Sequence, residues 1–365
     1  MVDATCQAAV FFGPASPLVI QPFEIPRHIE PGAALCTVRM STICGSDLHT
    51  ISGRRNEPTP IILGHEIMGD VVSLGEGLNQ DGFGDGLKMG DRVTWPVLAA
   101  CGGCFYCTRR LPQKCEHLRK YGHMSCRDWP HLTGGYAEYI YLFPGTQIFR
   151  IPDTVSDAVA TPANCALSTV INAVETIGLD PGETVLIQGA GMLGLNLVAL
   201  AADAGAGKVI VTDVNPRRLE LAAGFGADTC IDVGAMEEKE VVQLLREETG
   251  GFGVDVAFEV CGDVAAVRLA VEALRIGGRY LIAGLVVPGS HLGIDGNQVV
   301  RKCLTLKGIH NYRPDHLGTA LHFLERTAGR FPYEGLVGRS FPLAEINDAV
   351  AVAASGDCPR VAIRP

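Results

Sequence analysis

The sequence predicts an α/β chain of two domains, one β-rich and irregular, the other a parallel sheet wound with helices. Three observations carry this. At 365 residues the chain is too long for one ordinary domain and suits two. From residue 184 to about 309, short apolar runs alternate with helical patterns, the texture of a parallel sheet covered on both faces. Before about residue 160 the chain is instead rich in Gly, Pro and short β-type runs separated by turn residues.

In the first stretch, runs such as Ala34-Leu35-Cys36-Thr37-Val38-Arg39-Met40 and Ile67-Met68-Gly69-Asp70-Val71-Val72 read as strands. Two segments read as surface excursions: residues 79–88, rich in glycine and aspartate, and residues 121–135, mixing His, Arg, Trp and Pro. In the second stretch six strands are expected, over residues 184–188, 208–212, 229–233, 254–260, 279–283 and 304–309. Between them, residues 192–204, 216–225, 237–248 and 264–274 have helical patterns. The remainder holds one clear helix over residues 316–328 and a closing strand at 361–363.

Composition narrows the function. With 30 basic against 40 acidic residues and a net charge of −10, nucleic acid is not an expected partner. No uninterrupted apolar run of spanning length appears, and no basic stretch leads into an apolar one after Met1, so neither a membrane span nor a signal peptide is expected. Thirteen cysteines, an odd number, do not suit a disulfide framework. A reducing compartment, the cytoplasm, with thiolates holding metal is the expectation.

Gly189-Ala190-Gly191-Met192-Leu193-Gly194 follows the first expected strand and opens the first expected helix. Alone, such a spacing is weak in a glycine-rich chain and reads equally as a strand–helix turn. The strand before it, the helix after it and Asp213 at the end of the second strand turn it into a dinucleotide site. The first glycine permits the tight turn, the second lets backbone approach a pyrophosphate, and the third allows helix to pack on strand. Backbone N–H groups at the helix start then meet the phosphates. Asp213 would bond the ribose hydroxyls and repel a 2′-phosphate, so NAD is expected over NADP. Arg217 and Arg218 are the neighbours able to offset that repulsion, and Arg218 is placed with the cofactor-binding residues.

Cys101, Cys104, Cys107 and Cys115 form a C-x2-C-x2-C-x7-C cluster. Four thiolates in one loop suit a closed tetrahedral zinc that holds the loop together. An iron–sulfur cluster is the rival, since soft sulfur ligands suit either. Cys44-Gly45-Ser46-Asp47-Leu48-His49, Gly64-His65-Glu66 and Cys165 contain further ligand types. Taken singly, each reads as ordinary structure: a lone cysteine as a small buried hydrophobe, a lone histidine as a hydrogen-bonded side chain. Sequence alone does not make them converge.

Together, in this order and spacing, these motifs resemble the zinc-dependent medium-chain alcohol dehydrogenase family. The likeness runs over nearly the whole chain, to Glu345-Ile346-Asn347-Asp348-Ala349 and Ser355-Gly356-Asp357. The resemblance implies a GroES-like β-rich catalytic domain, residues 1–160 and 310–365, with two zinc sites, interrupted by a Rossmann-fold NAD-binding domain, residues 161–309. It implies that Cys44, His65 and Cys165 ligate a catalytic zinc with a fourth position open; the Cys₂His set is the general attribute of alcohol dehydrogenases. Glu66 would sit beside the metal, able to displace a ligand during turnover, and Asp47 would orient the His65 ring. Thr169 would pack on the nicotinamide and Arg360 would reach the coenzyme pyrophosphate. Ser46 and His49 would relay the alcohol proton to solvent. A dimer or tetramer is implied. Residues 79–88 are longer than the family's usual short turn there.

The activity implied is NAD-dependent interconversion of an alcohol and its aldehyde or ketone. The zinc-free quinone reductase branch would lack the cysteine cluster and Cys44/His65; a non-catalytic relative keeping zinc and nucleotide as structure is the rival from another class. Gly308-Ile309-His310-Asn311-Tyr312-Arg313-Pro314 is similar to a branch associated with phosphonate catabolism. An anionic substrate is therefore expected, met by His310, Tyr312 and Arg313, and by Arg127 in a cationic group with His123 and His131. Polyols, threonine and simple alcohols are the alternatives.

Overall fold

The structure is a computed structural model that describes residues 4–14 and 16–365. The chain divides into two compact units, Met1–Ser168 with Arg313–Pro365, and Thr169–Tyr312.

The first unit is built on a seven-stranded sheet. Its path runs Phe149–Arg150, Arg92–Thr94, Glu66–Leu74, Ala34–Thr42, Arg360–Arg364 and Val337–Pro342, with Tyr139–Leu142 also pairing Ala34–Thr42. The C-terminal strand thus lies beside one from the first fifty residues, which is why residues 313–365 belong to this unit. A smaller sheet joins Thr5–Phe11 to Val19–Glu24 and Ile61–Ile62. Alternation sets the faces: in Ala34–Thr42, Val38 and Met40 are buried while Arg39 turns out to Asp70 and Asp157, each at 3.3 Å. Trp95, Tyr121, Tyr141 and Ile140 fill one core; Phe11, Ile61, Ile62 and Tyr136 fill another. The residue 79–88 excursion is pinned rather than loose. Asp81 accepts the Phe83 and Asp85 N–H groups at 2.9 and 3.0 Å, and Phe83 packs edge-on to Phe149.

The second unit is a six-stranded sheet in the order Thr229–Asp232, Lys208–Asp213, Thr184–Gln188, Val254–Glu259, Leu274–Ile282, Thr305–Gly308, all parallel. In chain order this is 3-2-1-4-5-6, the doubly wound arrangement whose switch point lies beyond the first strand. Helices follow at Met192–Asp203, Pro216–Gly224, Glu238–Glu248 and Val264–Ala273. The fifth strand starts five residues before its expected place, because Leu274 leaves the helix directly in extended conformation and pairs Val254 before a break at Gly277-Gly278. The short helix Gly296–Arg301 carries no apolar period and was not expected. Among the described residues no helix is long and apolar enough to cross a membrane, and all thirteen cysteines are free of disulfides.

Candidate active site and metal centres

Antiparallel pairing assembles the first site. Thr42 lies opposite Glu66 in the register of Ala34–Thr42 and Glu66–Leu74, so the residues just beyond, Cys44 and His65, come side by side. Cys44 stands in extended conformation at the start of the helix Gly45–Ile51. Asp47 binds both halves: its Oδ2 accepts the Cys44 N–H at 2.9 Å, and its Oδ1 lies 3.3 Å from His65 Nδ1. Cys165 arrives from a distant segment, on the turn after Thr161–Asn164. The fully buried Asn164 fixes that turn, its Nδ2 donating to the His65 carbonyl at 3.1 Å and the Trp95 carbonyl at 2.9 Å. The sequence reading passed over Asn164; the only signal is an amide beside a ligand-type cysteine.

The donor atoms of Cys44, His65, Glu66 and Cys165 all lie within 4.8 Å of one another. Cys165 Sγ is 3.5 Å from His65 Nε2. A tetrahedral zinc with sulfur at about 2.3 Å and nitrogen at about 2.1 Å requires about 3.6 Å between those atoms, so the cage fits the ion. Buried His65 Nδ1 and Asp47 Oδ1 have no well-aligned hydrogen bond in the cage as it stands. Electrostatics agree. Cys44 is held well below the usual thiol range, first by its hydrogen bond to Cys165 and then by Arg360 and His65, against burial. Cys165 is pushed well above that range by the same bond and by burial. Burial opposes a charged His65, yet Asp47 and Cys44 outweigh it and raise its pKa to about 10. A divalent cation would take the place of these protons.

Glu66 is wholly buried beside this cage and doubly clamped by Arg360, Nε to Oε2 at 2.7 Å and Nη2 to Oε1 at 2.8 Å, with the Thr42 hydroxyl donating to Oε2 at 2.6 Å. Arg360 Nη2 also reaches Cys44 Sγ at 3.6 Å. The guanidinium expected at a pyrophosphate is thus committed here to the carboxylate next to the cage, a pairing with no sequence signal. Ser46 Oγ stands 3.3 Å from His65 Nε2, on the side of the ring nitrogen that faces the sulfurs. His49, half-buried, is on the same short helix.

The second cage is local. Cys104 Sγ lies 3.5 Å from Cys107 Sγ and 3.9 Å from Cys115 Sγ, and Cys101 Sγ lies 4.0 Å from Cys107 Sγ. Sulfurs around one tetrahedral zinc stand about 3.8 Å apart; those of an iron–sulfur cluster spread over separate irons. Backbone N–H groups of Cys101 and His117 point at Cys115 Sγ, each at 3.3 Å. Similar bonds from Cys107 and Glu116 bring the Cys104 thiol down to about 6. All four ligands come from protein, so this cage leaves no place for substrate.

The glycine loop behaves as its spacing predicts. A side chain at Gly189, φ +109°, would meet Cys261 at 2.9 Å, and one at Gly194 would lie 1.8 Å from the Gly189 carbonyl oxygen, so helix and strand pack only because both lack one. Gly191 faces open space at the start of the helix. Asp213 is buried, accepting the Ala190 N–H at 2.7 Å and the Asn215 N–H at 2.9 Å; it shapes the loop as well as ending the second strand. Met192 is buried, Arg217 and Arg218 are exposed, and Thr169 is half-buried at the start of the helix Ala166–Ile177.

Two members of the expected cationic group, His123 and His131, are engaged elsewhere. His123 is buried, bonded through Nδ1 to Glu57 Oε1 at 2.8 Å and packed on the His65 ring. His131 Nδ1 bonds the Cys126 carbonyl at 2.9 Å, and Arg127 is exposed. Arg313 is engaged by both oxygens of Asp315, at 3.1 and 2.9 Å, Tyr312 is buried and His310 exposed. Glu57, absent from the sequence reading, is the residue that fixes His123.

Two family models match the chain: the alcohol dehydrogenase GroES-like domain over residues 30–153, and the zinc-binding dehydrogenase over residues 193–326. A 5-exo-hydroxycamphor dehydrogenase of Pseudomonas putida is 32% identical over 342 residues, covering 92% of this chain and 93% of its own. An L-threonine 3-dehydrogenase of Protochlamydia amoebophila is 31% identical over 300 residues, 80% and 81% of the two chains. Among solved structures, an alcohol dehydrogenase from Thermotoga maritima matches with a TM-score of 0.93 at 33% identity, covering 99% of this chain and 100% of that one.

Proposed function

The chain belongs to the zinc-dependent medium-chain alcohol dehydrogenase family, and from that premise we propose that it oxidises an alcohol to its aldehyde or ketone, with NAD taking the hydride, and runs the reverse reaction. The observation that carries this is the cage of Cys44, His65 and Cys165, three protein ligands around one tetrahedral position with Glu66 tied back to Arg360. Zinc held there supplies a Lewis acid that lets a bound alcohol lose its proton near neutral pH. The remaining roles fall to the chain. Asp47 keeps the His65 ring oriented, with Nε2 toward the sulfurs. Ser46 takes up the alcohol proton and His49 hands it toward solvent. The clamped Glu66–Arg360 pair sets the charge beside Cys44. Cys101, Cys104, Cys107 and Cys115 hold a second zinc as a brace.

Gly191, Met192 and Leu193 would hold the NAD pyrophosphate, Asp213 its adenosine ribose and Thr169 its nicotinamide. An exposed Arg218 does not cancel the Asp213 carboxylate, so NADP is the poorer coenzyme. The substrate is a small-molecule alcohol, met by a homodimer or homotetramer in the cytoplasm. An anionic, phosphonate-type substrate draws less support: Arg313 is already paired with Asp315, and His123 and His131 are engaged by Glu57 and the Cys126 carbonyl. A neutral polar alcohol suits the geometry better.

The test is reduction of NAD and of NADP by zinc-loaded protein, followed by nicotinamide absorbance over neutral alcohols, polyols and phosphonate-bearing alcohols. Zinc-dependent NADH formation, with kcat/KM for NAD above that for NADP, is expected. No reduction with any alcohol would leave a non-catalytic zinc and nucleotide binder, and equal use of both coenzymes would remove the role given to Asp213.

A further inference from the structure

Glu259 is a wholly buried carboxylate that the reaction proposed above does not use. It ends the fourth strand of the six-stranded sheet, Val254–Glu259, and its two oxygens serve two different turns. Oε1 accepts the Gly262 N–H at 2.6 Å, in the turn that follows the fourth strand. Oε2 accepts the Gly284 N–H at 2.9 Å, just after the fifth strand, Leu274–Ile282. The Glu259 carbonyl takes the Ala283 and Gly284 N–H groups as well, at 3.0 and 3.1 Å. Gln188, opposite Glu259 in register, is engaged elsewhere: its amide accepts the Tyr280 hydroxyl at 2.8 Å and donates to the Ala266 carbonyl at 2.6 Å.

The two turns meet backbone against backbone. A side chain at Gly284 would stand 2.5 Å from Glu259 Oε1 and 2.6 Å from the Gly262 nitrogen, and one at Gly262, φ +77°, would stand 3.1 Å from the Gly284 carbonyl oxygen. Cys261, in the same turn as Gly262, is the residue on which Gly189 of the glycine loop packs. The turns after the first, fourth and fifth strands therefore lie against one another in that order at the carboxyl end of the sheet, and Glu259 pins the last two. That pin calls for a carboxylate. Each oxygen faces an N–H, so both must accept, whereas an amide would turn its NH2 on one of the two donors. Burying a carboxylate is costly unless it is hydrogen-bonded, so filling the core alone would be served better by an apolar side chain.

Ligands of such sheets lie beyond the carboxyl ends of the strands at the switch point, here between the first and fourth strands. Asp213 ends the second strand, on the other side of the first. A dinucleotide with its adenosine ribose at Asp213 and its pyrophosphate at Gly191 has its other half directed over the fourth and fifth strands, onto the turns that Glu259 joins. We propose that Glu259 is a positioning residue for the coenzyme: by tying the Gly262 and Gly284 turns together it sets the seat of the nicotinamide half without touching it. This rests on the NAD-binding reading above and assigns a part of that site.

The experiment is calorimetric titration of the zinc-loaded protein, without alcohol, with NAD and with ADP, which carries the adenosine and pyrophosphate portion alone. It is run on the wild type, Glu259→Gln and Gly284→Ala; the second variant displaces the turn and leaves the carboxylate in place. In both variants NAD affinity is expected to fall about tenfold, the worth of one hydrogen bond to a charged group. ADP affinity stays at the wild-type value, and KM for NAD rises in steady-state kinetics. A general loosening of the unit would weaken both ligands alike. Equal loss of NAD and ADP, or wild-type NAD affinity in Glu259→Gln, overturns the proposal; should Glu259→Gln not fold, the same comparison in Gly284→Ala decides. Glu259-dependent NAD binding by a protein that oxidises no alcohol would end the oxidation reading and leave the seat standing. Alcohol oxidation with NAD binding indifferent to Glu259 is the reverse, and absence of NAD binding sinks both.

Discussion

Two cages of soft ligands lie in the same unit, and they differ in almost everything except ligand type. The cysteine cage draws four sulfurs from fifteen consecutive residues, with backbone N–H groups supporting it. The Cys44–His65–Cys165 cage draws three ligands from across 122 residues. A carboxylate on either side, an arginine, two hydroxyls and an amide surround it. The first offers four sulfurs to one ion and, on the reading proposed above, can only brace; the second, on that reading, keeps a position free beside Glu66 and sets groups that can hold or move protons around it. A closed site needs little beyond local chain geometry, whereas an open one needs a fold.

Substitutions that hit one cage and spare the other break or sharpen this contrast. Cys44→Ala has the largest expected effect. Loss of a ligand to the open site removes Lewis-acid stabilisation worth several kcal/mol, so kcat/KM falls by about a thousandfold or more, while thermal unfolding shifts little. A comparable loss of melting temperature would show that the open cage also braces. Asp47→Asn comes next, with a loss of about 10- to 100-fold in activity or zinc affinity, since one amide oxygen cannot serve both His65 Nδ1 and the Cys44 N–H. Steady-state kinetics with zinc titration measure it, and wild-type values would mean that the strand register alone orients the ring. Cys115→Ser inverts the pattern. Its melting temperature drops, by about 2–4 °C for each kcal/mol lost, while kcat of the folded fraction stays near wild type. A collapse of kcat without a change in melting would give the cysteine cage a part in the chemistry. His49→Gln has the smallest effect, below the roughly 100-fold that direct proton transfer contributes. It shows in alcohol oxidation below neutral pH and is restored by imidazole buffer. An unchanged profile with and without imidazole would return His49 to an ordinary half-buried residue.

What the sequence revealed follows the same division. The parallel sheet was legible because each strand is a short apolar run and each helix carries its own period, so local pattern and fold agree; the exceptions are Leu274, where pairing with Val254 overrode the helical pattern, and Gly296–Arg301, a short helix without an apolar period. The cysteine cage was legible because its ligands are neighbours. The open cage was legible only through family resemblance, because nothing in the spacing of Cys44, His65 and Cys165 shows that strand register and Asn164 bring them together. Glu57 and the Glu66–Arg360 clamp were not legible, since charged residues 66 and 294 positions from their partners leave no periodic trace. Grouping His123 with Arg127 and His131 left out that His123 is buried against Glu57 and His65. Nearness in sequence says little where the chain turns sharply.

The most direct test of the closed and open assignment is elemental analysis of the purified protein and two variants. Two zinc ions per chain are predicted for the wild type. Cys115→Ser should retain one with turnover, and Cys44→Ala one without it. A single ion in the wild type, iron in place of zinc, or loss of both ions from either variant would contradict the account.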